Sequence, residues 1–300
     1  MTTTTGNFAD LLWPGLADLW GHEYNRWDNI WQKVFSVKES TKAYEKEQGV
    51  TRLGLAAIKD QGAPSLFTDP LQGFPKEYVN VAYALGSVVT WEMYSDDQYN
   101  YINQIPGMLS DSMNETVQTV NFNHINNGYT AGFTGPDGVI LFSASHNLAG
   151  GGTYSNILAT ASDLTQTALE QAMIDIGNYT DDMGIRMNVK LDGAKLLVPT
   201  ALQFQAAKLM QSMNEPFNAD NTKNVIAGKF DVVVAPYLTD TDQWQIVLPS
   251  VRNGLTHYWR EHPRMMRDNE FSTLNLQMLS YMRFASGWTD AHCAFSSPGA

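Results

Sequence analysis

The chain has one cysteine, Cys293, among 300 residues. A lone thiol excludes an intrachain disulfide framework and fits a reducing compartment. Positive charge is scarce: 19 Lys and Arg against 31 Asp and Glu give a net charge of −12. That excludes a broad basic surface able to grip phosphate backbones, so neither tight nor sequence-specific nucleic-acid binding is expected. No apolar run approaches the ~18 residues of a membrane span. Met1 to Asn7 have no charged side chain and lack the basic start of a secretory signal. Internal repeats and low-complexity tracts are missing too. What remains is a globular composition, 43% hydrophobic and 17% charged, with core enough for one or two domains.

The most informative stretch runs from Val79 to Met93. Its odd positions read Val79, Val81, Tyr83, Leu85, Ser87, Val89, Trp91 and Met93, the period-2 pattern of a half-buried strand. At about 3.3 Å per residue it spans roughly 50 Å, against a usual strand of about 5–6 residues. The core of one compact domain cannot cover that length. The run is therefore expected to project as the return strand of a hairpin arm, with Gly49 to Phe74 as outgoing strand and tip. Val79, Val81, Tyr83 and Leu85 would lie on another copy of the chain. Residues 8 to 35 carry four of the eight tryptophans, Trp13, Trp20, Trp27 and Trp31, among other apolar residues at helical spacings. Two readings stay open there: an amphipathic helix on the chain's own core, or an arm docked on a neighbouring subunit. Residues 36 to 48, rich in Lys and Glu, read as a solvated connector.

Asp96 and Asp97 mark a helix start, because carboxylates there cap free N–H groups. Ile102, Ile105, Leu109, Met113, Val117, Val120 and His124 share one face, and Gly128 ends the helix. Pro106 predicts a kink or a late start. The middle third reads as α/β. It has a turn at Gly135 to Gly138, a helix opened by an Asp163–Gln166 capping box, and a strand at Lys195 to Val198. A helix follows from Pro199 to about Met213, then strands at Phe230 to Ala235 and Gln243 to Leu248. The last third holds a long strand with Leu274, Leu276, Met278, Met282 and Phe284 on one face.

Residues able to do chemistry are few and poorly spaced. Ser143, Ser145 and His146 stand beside Gly150, Gly151 and Gly152, but the G-x-S-x-G elbow of a serine hydrolase is missing. Turn geometry and hydrogen bonding account for that loop. The glycines lack the Lys and spacing of a phosphate loop. His257, His262, His292 and Cys293 lack the short paired spacings of a zinc site. Asp96–Asp97 and Asp181–Asp182 fit a cap and a solvated turn.

Arm, long hairpin, long helix, α/β middle and late strand together resemble the major capsid proteins of tailed phages, the Hong Kong 97 fold. Six segments in register narrow the resemblance to the Mu-type major head subunit family. They are Phe8 to Leu19, Lys33 to Glu47, Trp91 to Asp97, Leu141 to Asn156, Lys195 to Phe204 and Gly287 to Ala300. The resemblance implies an α+β fold with an N-terminal arm at 1–48 and an extended hairpin loop at 49–95. A peripheral domain at 96–129 and 249–300 would hold a long spine helix, and an axial domain would occupy 130–248. It implies a protein without catalysis, cofactor or metal. Copies would assemble as hexamers and pentamers into a closed icosahedral shell around DNA, in the virion, after assembly in the host cytoplasm. A separate scaffold protein and a portal are implied partners. Where the family often ends on an Arg and a Gly, this chain has Ala291, His292 and Cys293. Other classes to weigh are an encapsulin-like cargo shell and a hydrolase built on Ser145 and His146. Lys59 and Lys76 are the only lysines of the hairpin range, and nothing beside them marks a covalent cross-link, so a non-covalent shell is expected.

Overall fold

The computed structural model describes residues 9–62, 64, 65, 67–90, 92, 93, 96, 102–214, 223–251, 253–270, 273 and 275–300. Side chains at 9–15 and 269 lie outside that description. Two layered units and a projecting ribbon make up the chain.

The first unit is a four-stranded sheet of order β1-β10-β11-β4. β10 (Leu255–Glu270) and β11 (Asn275–Trp288) form its long antiparallel centre. Their register slips between Trp259 and Arg264. Pro263 falls in that slip, where its missing N–H takes no bond from the ladder. β1 (Ser36–Glu39) runs parallel to β10 on one edge, and β4 (Val81–Val89) runs antiparallel to β11 on the other. Helix α3 (Ile105–Asn126) packs against the sheet. Its Met113 and Val117 share a core with Met282 and Phe284 of β11. Helix α1 (Ala9–Arg26) closes one end, where Leu16 and Trp20 meet Val89, Ile105 and Leu109. The short helix α2 (Ile30–Val34) seats Trp31 and Val34 in the α3 core.

The spine helix bears out the face expected for it, since Ile102, Ile105, Leu109, Met113 and Val117 are all buried. Its start is corrected. The helix opens at Ile105 with Pro106 in its first turn, after a 3-10 turn at Ile102–Gln104, and Asp96 is not its cap. Asp97 lies outside the described residues. At the far end Gly128 serves close packing, not a left-handed cap. A Cβ there would sit 2.4 Å from Phe142 Cδ2.

A short antiparallel pair, β5 (His146–Asn147) with β6 (Thr153–Tyr154), precedes the second unit in the chain. The second unit is a sheet of order β12-β9-β7-β8. β7 (Lys195–Val198) pairs in parallel with β8 (Asp231–Val234) and antiparallel with β9 (Trp244–Val247). Helices α4 (Gln166–Gly177) and α5 (Gln203–Gln211) belong to the same unit, and Leu169, Ala172, Ile176, Leu209, Trp244 and Ile246 form its core. The cap of α4 is Thr165, whose hydroxyl accepts the Ala168 N–H at 3.2 Å, and not the expected Asp163–Gln166 box. α5 starts behind a 3-10 turn at Thr200–Leu202 and ends two residues short of Met213. The C-terminal strand β12 (Ala294–Ser297) joins β9 here, so the segment 249–300, expected to serve the peripheral domain alone, feeds both sheets. Leu274, expected on the inner face of β11, lies outside the described residues.

The largest correction concerns the run at Val79–Met93. It is not one strand of a projecting arm. It breaks at Asn80 into β3 (Gln72–Val79) and β4, and β4 belongs to the subunit's own sheet. Asn80 is buried, and its amide donates to Ser40 Oγ and to the carbonyls of Lys42 and Ala43. Those bonds fix the point where the chain changes direction. The sense of alternation also changes there: Tyr78 is buried before the break, Val89 after it. The hairpin that does project pairs β2 (Tyr44–Val50) with β3, from Tyr44↔Val79 to Val50↔Gln72. Its outgoing strand thus comes from the Lys- and Glu-rich stretch first taken as a connector, and its bounds are 44–79, not 49–95.

Candidate assembly surface

The hairpin is anchored at its base by one carboxylate. Glu47 of β2 accepts from Lys38 Nζ, from the Tyr258 hydroxyl and, at 2.9 Å, from Thr289 Oγ1. Because Thr289 spends its proton on Glu47, the Tyr78 hydroxyl of β3 donates to Thr289 at 2.7 Å. Both strands of the hairpin are therefore tied to the sheet through the same pair of side chains. Burial alone would raise the Glu47 pKa, but the bonds from Lys38, Tyr258 and Thr289 and the charge of Lys38 outweigh it and hold the group below its ordinary value. Lys76 of β3 lies with its ammonium 5.7 Å from the Trp288 ring centre, and burial lowers its pKa. Sequence reasoning missed this anchor. The partners lie 9, 211 and 242 residues from Glu47, and no local pattern marks them.

Beyond the anchor the ribbon becomes apolar and bare. Leu55 is 79% exposed, Ile58 97% and Phe67 91%. Isolated exposed apolar residues are ordinary, whereas several on one projecting tip mark a surface that meets another molecule. Thr51 and Leu71 close the neck of the tip by a backbone bond of 3.0 Å.

The residues nominated from sequence as contacts divide. Val79, Val81 and Leu85 are exposed, and Tyr83 is half-buried, stacked on Phe284 at 4.7 Å. Trp20 is buried and stacks on Tyr24 at 5.3 Å. Trp27 donates its indole N–H to Asp111 at 2.7 Å. Trp31 is buried, with its ring 4.3 Å from that of His257. These three pack on the chain's own spine and sheet, which corrects the docking-arm reading for them. The side chain of Trp13 lies outside the described residues.

The candidates for chemistry are dispersed or engaged. His146 bridges Asp137 Oδ2 at 2.6 Å and Asn156 Oδ1 at 3.2 Å, so both ring nitrogens are occupied by groups other than a serine. Ser145 donates its backbone N–H to the Ser143 hydroxyl, completing a turn. His292 bonds Asp290 at 2.6 Å and stacks on Tyr154 at 3.6 Å. His257 is buried in an aromatic cage with Asn121 on Nδ1, and His262 pairs with Glu39 on the surface. Cys293 is buried. Among the described residues no group of three or more His, Cys, Asp or Glu is arranged to hold a metal ion. No described helix is long and apolar enough to cross a membrane.

The fold recurs in solved capsids. It superposes on the capsid of an empty GTA particle with a TM-score of 0.59 at 12% identity, covering 91% of each chain. The capsid of Cyanophage P-SCSP1u gives 0.60 at 10% identity, covering 89% of this chain and 86% of that one. A virus-like particle from Pyrococcus furiosus gives 0.52 at 9% identity, covering 94% and 97%. No curated protein matches in sequence. At these identities the likeness is one of fold, a Hong Kong 97-type α+β subunit. The sequence model for phage capsid protein adds the lineage. It matches residues 75–295, from the return strand of the hairpin to the last strand of the second sheet, and the chain belongs to that family.

Proposed function

We propose that the chain is a Mu-type major head subunit. Copies form hexamers and pentamers of an icosahedral shell that encloses double-stranded DNA without reading its sequence. The first sheet and its spine helix act as the peripheral domain, the second sheet as the axial domain. A separate scaffold protein and a portal take part during assembly in the host cytoplasm. The observation that carries this reading is the hairpin: anchored at Glu47, it ends in a tip whose Leu55, Ile58 and Phe67 stand largely exposed. Such a tip costs solubility unless a neighbour covers it. Exposed Val79, Val81 and Leu85 are proposed as further contacts between copies. Heterologous contacts of this kind close into rings when the rotation allows.

Negative-stain microscopy of the purified protein tests the reading. Closed particles of uniform diameter are expected. A protein that stays monomeric at all concentrations, with its fold intact, would overturn it.

A further inference from the structure

The sheet of the first unit has an unguarded edge. β4 is its outermost strand, and no described strand lies beyond it. Its nine residues, Val81 to Val89, include no charge and no proline. Natural edge strands are normally blunted by Lys, by proline, by a bulge or by brevity. β4 has none of these, and its register against β11 is unbroken from Val81↔Phe284 to Val89↔Leu276. In an antiparallel pair alternate residues turn their N–H and C=O away from the partner, so about four of them face outward along roughly 30 Å. Val81, Leu85 and Val88 are exposed on that strand, and Ala82, Ala84 and Gly86 are small and exposed between them. Among the described residues no strand pairs with this edge, which leaves it free for an approaching backbone.

The same chain has a segment with the complementary deficit. Arg52 to Ile58 forms neither helix nor strand, and among the described residues none of its backbone groups makes a hydrogen bond. Leu53, Leu55 and Ile58 are exposed, and the segment has one charge, on Arg52. At seven residues it matches the length of the edge to within two. It sits at the far end of the β2–β3 ribbon and makes no pairing with its own β4.

We propose that residues 52–58 of one copy add as a fifth strand to the open β4 edge of the next copy. This rests on the shell reading above and gives its hairpin contact a backbone basis. Main-chain bonds supply the register-independent part of the affinity, and alternate side chains supply the fit. Donor segment and acceptor edge lie on every copy, so the contact is head-to-tail and propagates around a ring.

Hydrogen–deuterium exchange on the full chain tests this, comparing sedimented particles with unassembled protein, alongside a variant whose residues 52–58 are replaced by alternating Gly and Ser. On assembly, amides in 82–88 and in 52–58 are expected to slow together, by about tenfold or more. In the variant, β4 should exchange as in free protein. Slowing of β4 without 52–58, or slowing that persists in the variant, would overturn the proposal by showing that another segment or a foreign strand covers the edge. Particles in which neither region slows would overturn it and leave the shell reading standing. Light scattering separates that case from a failure to form particles at all, which would overturn both.

Discussion

Thr289 donates its hydroxyl to Glu47 at 2.9 Å, joining the end of the longest sheet pair to a hairpin strand 242 residues earlier. With Lys38 and Tyr258 on the other oxygen, Glu47 fixes the angle at which the ribbon leaves the subunit. Glu47→Ala leaves three donors without their acceptor and is expected to cost about 1–3 kcal/mol, the usual penalty for stranded polar groups. Urea denaturation checks the stability, and proteolysis at the ribbon checks its loosening.

The same carboxyl makes stability sensitive to acid. Its folded pKa lies below its ordinary value of 4.5, so the unfolded state takes up the proton first as pH falls. The stabilisation is complete above 4.5 and is lost as pH drops through the folded value. Glu47→Gln should flatten the stability curve in that acid range, and should leave the difference between pH 7 and pH 6 unchanged.

Two histidines, half-buried His124 and fully buried His257, act at milder pH. Burial lowers His124 to about 4 and His257 to about 3, from 6.5. Lys76 adds to the effect at His124, whereas Ser286 opposes it; His262 and His124 add to the effect at His257. For both, the unfolded chain binds the proton first, so stability is full above 6.5 and declines below it. By pH 5 each should cost about 2 kcal/mol. His257→Phe should remove roughly half of that decline in denaturation curves taken between pH 7 and pH 5.

Trp31 distinguishes core from contact. Its ring is buried against His257 and Trp259. Trp31→Ala should therefore cost about 3–5 kcal/mol in the unassembled subunit, as large-to-small core changes do. An unchanged melting temperature with lost assembly would instead return this residue to a subunit interface.

The hairpin tip behaves in the opposite way. Removing residues 52–70 and joining Thr51 to Leu71 through a short Gly turn takes away, among the described side chains, exposed ones alone and keeps the Thr51–Leu71 bonds at the neck. Circular dichroism should stay that of the intact fold, while light scattering should show monomers or open rings in place of shells. Full-sized shells from this variant would refute the role given to the tip.

Sequence made the buried faces legible and the junctions obscure. The 3–4 spacing of Leu109, Met113 and Val117 is local, and so is the apolar run at Lys195–Val198; both elements stand where that pattern puts them. The Val79–Met93 run misled because alternation continues across Asn80, while the break depends on bonds to Ser40, Lys42 and Ala43, some forty residues away. Thr165 outcompeted Asp163 as a cap through backbone angles that composition does not encode. The tryptophan segment left two readings because large aromatic area suits a core and an interface equally; only the contacts of Trp20, Trp27 and Trp31 decide between them.

The return of β12 to the second sheet has a consequence for the timing of synthesis. Ala294–Ser297 hydrogen-bonds to Trp244–Val247, and the centre of the first sheet is made of Leu255–Trp288. A nascent chain that has emerged only as far as Leu255 owns a complete ribbon and spine helix but neither finished sheet. Each needs strands that follow Gly254, and domains condense as units once their strands are available. Under the proposed contact, a chain caught at that stage exposes its tip but has no finished sheet to receive a neighbour's, so association between copies follows the synthesis of Leu255–Trp288.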